Sequence, residues 1–110
     1  MKKDLTDMIV RAWRGRAPAS NPFGYVDHFR RSVLPALRRT EGFVGASLLK
    51  AERPNEVEFL VLTKWKSMDA IRAFAGDDVT KAIVEPEAAE ELTSFDPTVE
   101  HYDVVDEAGR

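Results

Sequence analysis

The sequence predicts an α+β fold, with one four-stranded antiparallel sheet and two helices on one of its faces. Three observations carry that prediction. In Val57–Gly76, VEFLVLTKWKSMDAIRAFAG, the apolar period changes from two to 3.6 at Ser67. Met8–Arg16 alternates in the same way and is followed by a helical stripe. The elements come in the order β-α-β-β-α-β, the split βαβ or ferredoxin-like arrangement.

Composition sets the outer bounds. The chain has 110 residues, 44% hydrophobic and 32% charged, which suits a single domain spanning 1–110 with a core at about 8–105. A net charge of -3 gives no basic footprint for nucleic acid. The absence of cysteine excludes disulfides, thiol catalysis and thiolate metal sites. The opening MKKDLTDMIV has acids where a signal peptide has its apolar core, and no apolar run reaches membrane-spanning length. A cytoplasmic location with no membrane contact is the expectation.

Along the chain, Met1–Thr6 reads as a frayed end. In the first strand Met8, Val10 and Ala12 point one way, and Ile9, Arg11 and Trp13 the other. Asn21-Pro22 signals a helix start, with Asn21 as N-cap and Pro22 at the first helical position. Phe23, Val26, Phe29, Val33 and Leu37 then form the buried stripe. Pro35 predicts a kink or an end near Val33–Leu34, because its ring presses on the carbonyl of Arg31. Glu41-Gly42 stops the helix. Phe43–Ala51 is the second strand, Glu52–Glu56 a hairpin loop, and Val57–Trp65 the third strand. Ser67 caps the second helix, Asp69 sits in its first turn, and Gly76 stops it. A further helical segment is expected at Val79–Val84, another turn from Pro86 through Leu92, a break at Asp96-Pro97, and a last strand at Thr98–Val105. Asp106–Arg110 is a polar tail.

The first and third strands are apolar on both faces: Phe59 and Val61 oppose Leu60 and Leu62. Two helices cover one face only. A second copy of the sheet is the economical cover for the other, so a homodimer is expected.

Searches for a phosphate loop, GxSxG and HExxH come back empty. The two histidines, His28 and His101, lack ligand spacing, so no metal is expected. What remains is an aromatic set: Trp13 and Trp65 on adjacent central strands, Phe29 and Phe74 on the helices, and His101 with Tyr102 on the last strand. These residues either line a pocket between helices and sheet or fill the core. His101 and Asp103 share a strand face, so the carboxylate could orient the imidazole as a base. His28 lies off the apolar stripe and reads as a half-exposed surface residue.

MIVRAWRGRAP, LPALRRTEGFVGASLL, FLVLTKWKSMDAIRAFAGDD, VEPEA and VEHYDVV together resemble the antibiotic biosynthesis monooxygenase family. The most specific part is LTKWKSMDAIRAFAG. The resemblance covers nearly the whole chain. It implies a dimeric α+β barrel of two ferredoxin-like subunits, each with a cavity between helices and sheet. It also implies a monooxygenase that oxidises a small aromatic, a quinol or polyketide-like phenol, with molecular oxygen and without flavin, metal or other cofactor. On that reading His101 and Trp65 are the catalytic candidates, and Trp13, Phe29, Phe74, Tyr102 and Asp103 contact the substrate. The haem-degrading branch of the family has an axial histidine shortly after its tryptophan-bearing helix. The matching positions here are Val84 and Phe74, so haem degradation in that manner is not expected. The alternative is a non-catalytic, ligand-binding or stress-related dimer that keeps the fold.

Overall fold

A computed structural model describes residues 8–110; the reading of Met1–Thr6 lies outside them. The elements are β1 (Ile9–Pro18), α1 (Phe23–His28), a π turn (Phe29–Val33), α2 (Leu34–Arg38), β2 (Phe43–Glu52), β3 (Glu56–Trp65), α3 (Met68–Ala75), α4 (Pro86–Glu90), β4 (Ser94–Phe95) and β5 (Glu100–Asp103). The sheet is antiparallel throughout, in the order β2-β3-β1, with β4 and β5 both paired to the outer edge of β1. That is the ferredoxin-like order expected from the sequence, with two short strands in place of one fourth strand.

Register sorts the side chains into two faces. The rows Ala46–Thr63–Arg11–His101 and Leu48–Val61–Trp13 lie on the helix side. The rows Ser47–Leu62–Ala12 and Leu49–Leu60–Arg14 lie on the other. The helix-side core forms two clusters. One is built on Tyr25, Phe29, Val57, Phe59 and Val61. The other is built on Leu37, Trp65 and Ile71, with Phe43 and Phe74 against the indole.

Three sequence expectations change. The first concerns Pro35. The chain stays helical from Phe23 to Arg38, and the Leu34 N–H reaches back five residues to the Phe29 carbonyl. A π turn just before a proline takes up the crowding that would otherwise end the helix. At its start Pro22, not Asn21, holds the cap position without a side-chain cap, and the Asn21 N–H closes a turn on the Pro18 carbonyl. Phe23 escapes the stripe and is 72% exposed.

The second concerns Val79–Val84, which is not helical. Its backbone is claimed by partners elsewhere: Arg11 takes the carbonyls of Val79 and Lys81, Val99 N–H takes that of Thr80, and Ala82 N–H donates to the Pro97 carbonyl. Asp78 Oδ1 accepts from both the backbone and the hydroxyl of Thr80, an Asx turn rather than a helix cap. The third is the last strand, expected at Thr98–Val105 after a break at Asp96-Pro97: it shortens to β5, and Ser94–Phe95, just before that break, pair with β1 as β4. Ser67 and Gly76 act as read: the Ser67 hydroxyl accepts from Ala70 N–H at 3.1 Å, and Gly76 ends α3 with φ 90°. Among the described residues no helix is long and apolar enough to cross a membrane.

Candidate active site

Between the helices and the sheet lies a cavity of about 80 Å³. Its floor is Arg11 and Trp13 of β1 with Val61 and Thr63 of β3. Tyr25 and His28 of α1 and Phe74 of α3 form its sides, and Ile83, Val84 and Glu85 its outer wall. The alternation of β1 puts Arg11 and Trp13 on this face, and the turn of α1 brings Tyr25 and His28 over it.

Arg11 is the polar centre of the floor. It is buried, and its Nη1 donates to the Val79 carbonyl at 2.6 Å and meets His101 Nε2 at 3.1 Å. Its Nη2 donates to the Lys81 carbonyl at 2.9 Å. Among the described residues no carboxylate pairs with it. Burial lowers its pKa, yet a guanidinium remains charged at any ordinary pH. The cavity floor therefore holds a buried positive charge met only by neutral acceptors.

Trp13 lies with its ring over Gly15, where a Cβ would stand 2.8 Å from the indole. Its Nε1 donates to the Asp96 carbonyl at 2.8 Å. Tyr25 packs between Trp13 and Phe59, and burial pushes its phenol well above the ordinary value, so it stays protonated. The His28 side chain is only 9% exposed. Its Nε2 is buried without a hydrogen bond and lies 3.3 Å from a Glu85 carboxylate oxygen outside hydrogen-bonding geometry. The half-exposed reading of His28 is thus corrected. The segment after α3 folds back and lays Val84 and Glu85 against α1, a tertiary contact that leaves no periodic signal.

The other sequence candidates scatter. Phe74 lines the cavity. Trp65 is completely buried outside it, between Phe43 and Phe74, and its Nε1 donates to Thr63 Oγ1 at 2.9 Å. Phe29 faces a different groove, between α1 and β2. Tyr102 sits on the helix-free face, 51% exposed, and donates to Glu100. Asp103 is exposed and makes no hydrogen bond to His101. His101 is outside the cavity lining, and its Nε2 lone pair is occupied by Arg11, which acts only as a donor. Sequence reasoning placed Arg11 on the correct face of β1 without assigning it a role. Among the described residues no three His, Asp or Glu side chains gather as a metal site needs.

Fold and cavity define a ferredoxin-like α+β protein with an aromatic-lined pocket under its helices. The sequence profile described as antibiotic biosynthesis monooxygenase matches residues 24–86, more than half of the chain. The chain belongs to that family. Solved structures agree on the fold. A putative antibiotic biosynthesis monooxygenase from Bacillus cereus superposes with a TM-score of 0.66 at 17% identity, covering 94% of this chain and 98% of that one. SnoaB, a cofactor-independent oxygenase from Streptomyces nogalater, gives 0.57 at 24% identity over 94% and 96%. The haem degrader MhuD from Mycobacterium tuberculosis, with two haems bound, gives 0.59 at 20% over 92% and 99%. A search of curated proteins finds no match.

Proposed function

We propose that the protein is a cofactor-independent monooxygenase that oxidises a small, electron-rich aromatic in the cavity under its helices, and that it works as a homodimer. The observation that carries this reading is the cavity itself. Trp13, Tyr25 and Phe74 offer aromatic walls, with a buried cation and a buried imidazole among them. An aromatic bearing an acidic O–H or C–H loses a proton and then passes electrons to dioxygen. For an anthrone-type substrate the balance is CH2 plus O2 giving C=O plus H2O, with one oxygen atom retained and no outside reductant. The protein supplies a dry, shaped site, a proton acceptor and a cation for the developing charge. Trp65, buried behind Phe74, would then support that wall rather than touch the substrate.

Similarity to SnoaB, described as a cofactor-independent oxygenase, supports the reading at the level of the fold. The haem-degrading reading has less behind it: Val84 lines the cavity where a haem ligand would be needed. A second reading, a dimer that holds a ligand without chemistry, is favoured by the cavity's size. Its 80 Å³ is well below the ~300 Å³ at which small-molecule pockets usually begin. Entry of a fused-ring substrate requires the irregular wall at 79–85 to move outward. Oxygen uptake with a panel of anthrones and dihydroxynaphthalenes decides between the two. Consumption of one dioxygen per substrate, above the uncatalysed rate, is expected; no uptake with any of them leaves the ligand-holding reading in its place.

A further inference from the structure

A second concavity lies on the other flank of α1. Tyr25 and His28 face the cavity, whereas Phe23, Val26 and Arg30 face a groove between the helix and β2. This groove holds about 430 Å³, against about 80 Å³ for the cavity, and exceeds the ~300 Å³ at which small-molecule sites usually begin. Val26, Phe29 and Leu34 form its helical wall, and Leu48 of β2 and Phe59 of β3 its floor. Phe23, 72% exposed, extends the apolar surface. The polar side chains of the lining are Arg30 and Lys50 alone; no carboxylate, hydroxyl, amide or imidazole joins them. Among the described residues Arg30 has no ion-pair partner, and Lys50 has only Glu52, at 3.7 Å.

We propose that this groove is a binding site for a free medium-chain fatty acid, held as its carboxylate by Arg30 and Lys50. The chemistry of the lining selects that ligand. A body with polar groups along its length would lose their hydrogen bonds against this wall, whereas a plain hydrocarbon loses nothing. No side chain in the lining can take up a proton, so the ligand must bring its charge with it, as a carboxylic acid does at neutral pH. Two cations with no acid between them attract that head even though the chain as a whole carries a net charge of -3. A membrane surface fits less well, since anionic lipid is usually held by clusters of about four to eight basic residues. A peptide, the tail of a second copy included, brings amides that these side chains cannot satisfy. Burial of Phe23, Val26 and Leu48 under the acyl chain supplies affinity, and the cations supply the preference for an acid over an alcohol.

Calorimetric titration tests this, with octanoate below its micellar concentration and with 1-octanol, which has the same tail length and no charge. The wild type should bind one octanoate per protomer, and 1-octanol about fivefold more weakly or worse, as two partly exposed ion pairs predict. Added salt should weaken octanoate and leave 1-octanol unchanged. Arg30 and Lys50 are exposed, so a protein carrying Arg30→Gln with Lys50→Gln should fold, bind 1-octanol as before and lose its preference for the acid. Leu48→Glu, which puts a carboxylate in the floor, should abolish octanoate binding. Absence of saturable octanoate binding overturns the proposal, as does equal affinity for acid and alcohol in the wild type; neither result needs a variant. Full octanoate affinity in the double variant or in Leu48→Glu places the acid elsewhere and overturns it too. So does a protein that attaches to phosphatidylglycerol vesicles and ignores free octanoate.

Discussion

His101 accepts a hydrogen bond from Arg11 only while its ring is neutral, so this contact sets a pH dependence. Desolvation first, and then the nearby Arg11 charge, hold the His101 pKa below its ordinary 6.5. The unfolded chain therefore binds the proton more readily than the folded one. The stability from neutral His101 is fully present above about pH 6.5 and is lost as pH falls through the lowered folded value. The groups facing the ring are Arg11 and, on the same strand face, exposed Asp103. His101→Gln keeps an acceptor without titrating, so its melting temperature should fall less steeply on acidification than that of the wild type. Equal slopes would remove His101 as the cause. Gly42 makes a second residue-scale prediction. Its φ is 88°, and a Cβ there would stand 2.4 Å from Ala70 Cβ. Gly42→Ala should cost about 1–3 kcal/mol in urea unfolding, since both the backbone and the neighbour resist; a loss under about 0.5 kcal/mol would contradict this. The sequence shows Gly42 as a stop because glycine after a helix has local meaning. It could not rank His28 above His101, since burial of His28 depends on Val84 and Glu85, more than fifty residues away.

At the scale of elements, legibility follows where the hydrogen bonds go. α3 satisfies its own first turn through Ser67, and every signal needed to read it lies within ten residues. Ser67→Ala should therefore cost about 1 kcal/mol, measured by thermal or urea unfolding, with the change confined to stability. A variant as stable as the wild type would show that another group caps the helix. Residues 79–82 show the opposite case. Their local signals, Asp77-Asp78 before an apolar run, favour a helix, but Arg11, Pro97 and Val99 claim their backbone groups. The result is an irregular wall held to the sheet by a clasp. Pro35 is intermediate: its effect was legible, but the remedy, an extra residue in the preceding turn, was not. The fourth strand splits because Asp96 and Pro97 leave the ladder. Its detour carries the carbonyl that anchors Trp13 and the one that anchors Ala82.

For the whole molecule, the unresolved demand is the face of the sheet that no helix covers. Val10, Ala12, Leu60 and Leu62 lie there in neighbouring rows, with Leu49 46% exposed and Val44 also exposed at the β2 edge. Toward one end the same face turns polar, with Glu58 among Arg14, Arg16 and Arg53 at 3.7–3.9 Å. An apolar centre with charges to one side has the composition of an interface core and rim. The two-sided strands were legible in the sequence as apolar residues on both faces of β1 and β3, and register shows that the second set faces away from the helices. We expect two copies to pack these faces together about a two-fold axis. Leu62→Asp places a charge in the centre of the face and should split or unfold the dimer. Because Leu62 is already half buried within one protomer, its loss could act on the protomer itself. Leu49→Asp separates the two effects, since an exposed position tolerates a carboxylate in a lone protomer but not inside an interface. Sedimentation should show a dimer for the wild type at micromolar concentration and a folded monomer for Leu49→Asp. A wild-type monomer would overturn the dimer, and a Leu49→Asp protein that remains as tightly dimeric as the wild type would place the contact elsewhere.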